Sequence, residues 1–332
     1  MGTRHKRSGV ELVTSSNAGA IQLTEVTGLA AGGDSGGPLV CNNHIVAVTD
    51  LGHPPYPIPA GYYVTALPID AQWANANIGL VPAPVTDSLY TVQGSSLFRT
   101  SHDFGNFTTI SGPPSANWSD TTSMASAGGN LYAVQGSYFT KIDPSDNPVN
   151  GRFQLLGGPV WSGPTLMTSM SGNIYITEAD GLWSIDNLSN GAYHLVSTAW
   201  TDAVAMTNLN GLIYIIKDGY LYKVSAVNGS ATHVGGHNWS KNSPNDSTIM
   251  ATVSGAIYIQ NNDSIYRIDN TTTGAYTVIG SGWSNTTSMT SLDGSLFLMQ
   301  ANSLERFSVV SFTWTVLGFS DWSGPTITAA LP

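Results

Sequence analysis

The sequence predicts an all-β protein, most of it a six-bladed β-propeller. Three observations carry that reading: a Trp-Ser dipeptide that returns about every 40 residues, columns of like residues held in register between the copies, and a composition suited to short strands and tight turns. Only 10% of the 332 residues are charged, whereas 41% are hydrophobic and 36 are glycine, too apolar for a disordered polymer. At this length, two domains or one large repeat array is expected.

The repeated tryptophans are Trp118, Trp161, Trp200, Trp239, Trp283 and Trp322, at spacings of 43, 39, 39, 44 and 39, with Thr201 replacing the serine in the third copy. The stretch GWSNTTSMTSLDGSLFLMQANSLERFS displays one unit: an inner strand, a Gly turn and two further alternating strands. A Met column (Met124, Met167, Met206, Met250, Met289) fails only at Thr328. An aromatic column runs Tyr90, Tyr132, Tyr175, Tyr214, Tyr258, Phe297, and a leucine-like column runs Leu97, Phe139, Leu182, Leu221, Ile265, Leu304. Two positions after the last comes a basic column, Arg99, Lys141, Lys223, Arg267, Arg306, broken by Ser184.

Chain closure follows from the strand missing at each end. The first copy enters at TDSLYTVQ without an inner strand, and the last runs past Trp322 into PTITAALP, which matches one. The strand at 325–331 is therefore expected to complete the blade begun at residue 87, beside Tyr90, and to remove exposed sheet edges.

The Met and leucine-like columns are expected in the inter-blade core, because neighbours cover both faces of every blade. The repeated Trp reads as a wedge locking adjacent blades, with a ligand-stacking platform as the other reading, so the six tryptophans are also the candidate binding residues. The basic column is expected to lay its stems over neighbouring rings or to pair with acids. Asp143, Asp186 and Asp269 follow that column and read as turn formers that bond their own backbone.

These copies resemble the tectonin-like propeller repeats, in which a W-S motif precedes one strand and a G-x-L/I-Y strand follows. The resemblance spans residues 87–332. Relatives with such repeats include lectins, which implies a protein or carbohydrate ligand on the propeller. Sugar faces stack on Trp, and Asn, Ser and Thr supply hydrogen bonds.

Residues 1–78 read differently, and the Pro-containing stretch NIGLVPAP leads into a linker at 79–86. Residues 32–39 are GGDSGGPL, which resembles the nucleophile loop of trypsin-like (chymotrypsin-fold) serine endopeptidases. The resemblance covers residues 8–77: Leu39-Val40 begins a strand, HIVAVTDLG matches the next, and GYYVTALPIDAQW resembles the family's last strand and terminal helix. It implies a partial second barrel with Ser35 as nucleophile and the backbone N-H groups of Gly33 and Ser35 as oxyanion hole. The family places its His and Asp far upstream. His5 lies in a basic leader, and His44 and His53 lie downstream of Ser35, so none stands where that base belongs. Three explanations fit: a piece of a complete secreted protease with a C-terminal binding propeller, a split enzyme completed by another chain, or a decayed protease. The first is the favoured expectation, with no peptidase activity in the isolated chain and secretion implied for the parent.

The formal charge of -10 is spread along the chain, leaving no Lys/Arg-rich surface for phosphates, so nucleic acid is not an expected partner. Cys41 is the only cysteine, which excludes an intrachain disulfide and a thiolate metal cluster. No cofactor or metal is implied. No apolar run reaches the length of a membrane span, and the first ten residues, MGTRHKRSGV, lack the apolar core of a signal peptide.

Overall fold

Two-residue turns build the inner hairpins. Gly128-Gly129, Ser171-Gly172, Asn210-Gly211, Ser254-Gly255 and Asp293-Gly294 all have positive φ at both positions, the twist that lets two strands return in tight register. The computed structural model of the chain describes the backbone of five strands between Val10 and Pro68. It also describes residues 88–331 apart from 102–106, 111–117, 145–152, 159, 240–247, 301–302, 320–321 and 323, and apart from the side chains of 101, 318 and 319. The chain forms two compact units, Met1–Pro82 and Ala83–Pro332.

In the first unit, β1 (Val10–Asn17), β2 (Ala20–Thr27), β3 (Pro38–Cys41), β4 (His44–Asp50) and β5 (Val64–Pro68) form an antiparallel sheet in the order β1-β2-β5-β4-β3. Ser35 and Gly33 fall between β2 and β3, outside the described residues, as does the expected terminal helix.

The second unit holds six four-stranded antiparallel sheets. Blade 1 contains β6 (Ser88–Gln93), β7 (Ser96–Ser101) and β8 (Phe107–Ile110). Blade 2 is β9 (Thr121–Ala127), β10 (Asn130–Gln135), β11 (Tyr138–Ile142) and β12 (Phe153–Gly157). Blade 3 is β13 (Leu166–Met170), β14 (Asn173–Glu178), β15 (Gly181–Asn187) and β16 (Ala192–Ser197). Blade 4 is β17 (Ala203–Leu209), β18 (Leu212–Lys217), β19 (Tyr220–Val224) and β20 (Ala231–His233). Blade 5 is β21 (Thr248–Val253), β22 (Ala256–Asn261), β23 (Ser264–Ile268) and β24 (Tyr276–Ser281). Blade 6 is β25 (Thr286–Leu292), β26 (Ser295–Gln300), β27 (Ser303–Ser308) and β28 (Thr313–Phe319). The last strand, β29 (Thr326–Leu331), pairs antiparallel with β6, with Ala329 opposite Tyr90, and supplies the inner strand of blade 1. The inner strands then touch in a ring: β29, β9, β13, β17, β21, β25 and back to β29.

Six buried clusters fill the six inter-blade spaces, each with one of the repeated tryptophans. Trp239, for example, packs with Leu209, Tyr214 and Leu221 of blade 4 and Met250, Ile257 and Ile268 of blade 5. The five column methionines face the preceding blade in these clusters. Thr328, the exception, uses its hydroxyl instead, 2.8 Å from Ser288 Oγ and 3.3 Å from Thr91 Oγ1, so polar contacts tie the closing strand on both sides. Among the described residues no helix is long and apolar enough to cross a membrane.

Candidate functional site

The six tryptophans do not converge; they stand one per interface, and their exposure lies between 1% and 7%. Backbone bonds explain how each is held. The Trp239 N-H donates to Gly219 O of blade 4 at 2.6 Å, and its carbonyl accepts from Asn261 Nδ2 of blade 5 at 2.9 Å. Trp161 and Trp283 likewise donate to turns of the preceding blade, at Ser137 O and Asp263 O. Outer aromatics of the following blade close over the indoles: Trp183 and Tyr193 on Trp161, Tyr266 and Tyr276 on Trp239, Trp314 on Trp283, Phe98 and Phe107 on Trp322. Ring centroids in these groups lie 4.2 to 6.4 Å apart, so the rings pack against one another.

A polar column at the end of the second strand of each blade escaped the sequence reading: Gln93, Gln135, Glu178, Lys217, Asn261, Gln300. Four of its members grip the Trp loop before their own blade. Glu178 accepts from Ser162 N and Oγ, Lys217 donates to Ala199 O, Asn261 to Trp239 O and Gln300 to Gly282 O. The signal was present as a fixed offset, three residues after the aromatic column, but the residue types differ.

The basic column lies directly across from the aromatic column, as in Tyr90 with Arg99 and Tyr258 with Arg267. Burial pushes the Tyr90 hydroxyl up to about 12, against the opposing charge of Arg99. Arg267 both pairs with Asp269, Nε to Oδ1 at 2.7 Å, and lies 5.8 Å above the Phe312 ring. Two of the aspartates that follow, Asp186 and Asp269, act differently from the expected turn formers. Asp269 accepts from Arg267 and from Thr277 Oγ1, and Asp186 from Ser184 Oγ and His194. The next residue closes the turn: Asn187 accepts from Ser189 N, and Asn270 from Thr272 N and Thr273 N. Ser184, Asp186 and His194 are not a catalytic relay, because the serine hydroxyl donates to the carboxylate rather than to the imidazole.

One recess opens at the propeller axis, on the end carrying the inner hairpin turns. It holds about 310 Å³ and is lined by Ser126 to Gly129 of blade 2, Ser169 to Gly172 of blade 3, and Leu331 of the closing strand. Elsewhere on the inner strands, hydroxyls of neighbouring blades bond each other, as in Thr207 with Thr252 at 3.0 Å and, at the other end of the seam between blades 2 and 3, Ser123 with Thr165 at 2.6 Å. In the recess the hydroxyls of Ser126, Ser169 and Ser171 bond no other described group. The sequence did not single out these residues. Among the described residues no three His, Cys, Asp or Glu side chains assemble as a metal-binding group.

No protein-family model matches the chain, and no curated protein matches it. Of the solved structures that do match, one, described as the de novo evolutionary emergence of a symmetrical protein shaped by folding constraints, is 18% identical. It covers 55% of this chain and 85% of its own at a TM-score of 0.37, a likeness too low to carry an argument.

Proposed function

We propose that the chain is a recognition protein: a closed propeller that binds a carbohydrate or peptide ligand, joined to a segment bearing the nucleophile loop of a trypsin-like serine endopeptidase without its base. The axial recess supports the binding half, because it gathers hydroxyls that bond no other described group beside apolar side chains at a concave site on a rigid scaffold. The protease-like half rests on GGDSGGPL and on β3, β4 and β5, which occupy stretches that the resemblance assigns to strands. In a complete parent, the propeller would hold the catalytic part near polymeric substrate or a cell surface.

Two experiments separate the halves. On an array of glycans and peptides the full chain is expected to give signal with neutral members, and a blank array would remove the recognition reading. A serine-directed fluorophosphonate is expected to leave Ser35 unlabelled. Stoichiometric labelling would instead favour an active endopeptidase completed from another chain.

A further inference from the structure

We infer that the propeller carries one ligand site rather than six, at the axial recess between blades 1, 2 and 3, and that it takes a neutral, hydroxyl-rich ring the size of a single sugar. The inference rests on the recognition reading and narrows it.

The recess exists because the six-fold pattern fails there. In blade 1 the inner strand is β29, with Leu331 opposite Ser88 at the start of β6, so among the described residues no two-residue hairpin turn joins these two strands. Blade 2 has a turn without side chains, Gly128-Gly129, where blades 4, 5 and 6 place Asn210, Ser254 and Asp293. The neighbouring interface shows the filled alternative, in which Asn208 of blade 4 reaches Thr168 Oγ1 and Ser169 O, both at 2.9 Å. Ser291 of blade 6 makes the same reach to Thr252 O at 2.7 Å, whereas the equivalent residue in blade 2, Ser126, bonds no other described group.

The lining selects the ligand. It contains only Ser, Ala, Gly, Met and Leu, so a charged ligand would lose water without gaining a counter-charge. A wholly apolar ligand would strip the three serine hydroxyls of their solvent partners. A pyranose offers hydroxyl edges to Ser126, Ser169 and Ser171 above a floor formed by the largely buried Met170 and Leu331. The volume of about 310 Å³ stands at the small end of ligand pockets, room for one ring rather than a chain.

The test is calorimetric titration of the full chain with the methyl glycosides of glucose, galactose, mannose and N-acetylglucosamine, with methyl glucuronide as charged control. Gly128→Asn gives blade 2 the turn residue of blade 4 at nearly the same φ, 54° against 51°, into open space, so the fold is retained while the mouth fills. At least one neutral glycoside is expected to bind, about ten-fold more weakly to Gly128→Asn, and the glucuronide about ten-fold more weakly to the unaltered chain. Ser169→Ala is expected to weaken binding by a smaller factor. Affinity unchanged in Gly128→Asn, or preference for the glucuronide, would overturn the inference. So would peptide binding without glycoside binding, although the recognition reading would survive; no ligand of either class would remove both.

Discussion

Asn261 of blade 5 donates its side-chain amide to the backbone carbonyl of Trp239 at 2.9 Å and, through its second N-H, to Thr248 Oγ1 at 2.9 Å. The carbonyl it holds belongs to the residue whose indole fills the space between blades 4 and 5, so one amide fixes loop, ring and strand together.

Breaking this arrangement should cost stability rather than ligand affinity. Asn261→Leu leaves a buried carbonyl without its donor, an expected loss of about 1 to 3 kcal/mol in chemical denaturation. Trp239→Ala empties the cluster and is expected to cost about 3 to 5 kcal/mol. Equal stability of Trp239→Ala and the parent chain would contradict the wedge role.

A pair of glycines isolates the seams between blades. Gly274 and Gly211 have similar backbones, φ +72° and +76°, so the conformational strain of Ala is alike at both, about 1 to 2 kcal/mol. A Cβ on Gly211 meets nothing within 4 Å, whereas one on Gly274 would lie 2.5 Å from Gly235 Cα of the preceding blade. Gly274→Ala is therefore expected to lower Tm well beyond Gly211→Ala, which calorimetry of the two variants checks.

Closure makes a matching prediction. Removing residues 326–332 takes away β29, with Leu331 at 3% exposure, and bares the edge of β6. Burial of Leu331 alone is worth about 2 to 5 kcal/mol, so Tm should fall by about 10 °C and the truncated chain should self-associate in size-exclusion chromatography.

Stability should fall at both ends of the pH scale. Burial against Trp239, Tyr266 and Tyr276 holds His237 below its ordinary 6.5, so the unfolded chain takes up the proton first and stability is lost as pH falls below 6.5. His237→Phe should flatten that side of a Tm against pH curve. Tyr90 is raised to about 12, so stability is lost as pH climbs from 10 through about 12, by at most about 1.4 kcal/mol per pH unit. Among the described residues the buried Tyr90 hydroxyl has no hydrogen-bond partner, so Tyr90→Phe should be neutral or stabilising at pH 7.

Columns defined by residue type were legible in the sequence, because a Met or Tyr repeated about every 40 residues can only be a recurring packing site. Tyr90, Met250 and Leu304 all lie in the inter-blade core for that reason. The column of Glu178, Lys217 and Asn261 was hidden because many polar side chains can hold a loop, so its chemistry varies while its geometry does not. The outer aromatics Tyr193, Tyr276 and Trp314 were hidden by unequal turns before the last strand. The recess was illegible in a different sense: it needs Ser126, Ser169 and Leu331 side by side, and only closure of the ring brings the last strand to the second and third blades. The proposed chemistry at Ser35 was read from motif alone and lies outside the described residues.

Native mass spectrometry of the full chain with a bound neutral methyl glycoside counts ligands directly. A structural role for the six tryptophans and a recognition role for the axial recess predict a single adduct per chain, about ten-fold weaker in Gly128→Asn. A ladder of adducts approaching one per blade would contradict the account, since it would return binding to the repeated interfaces.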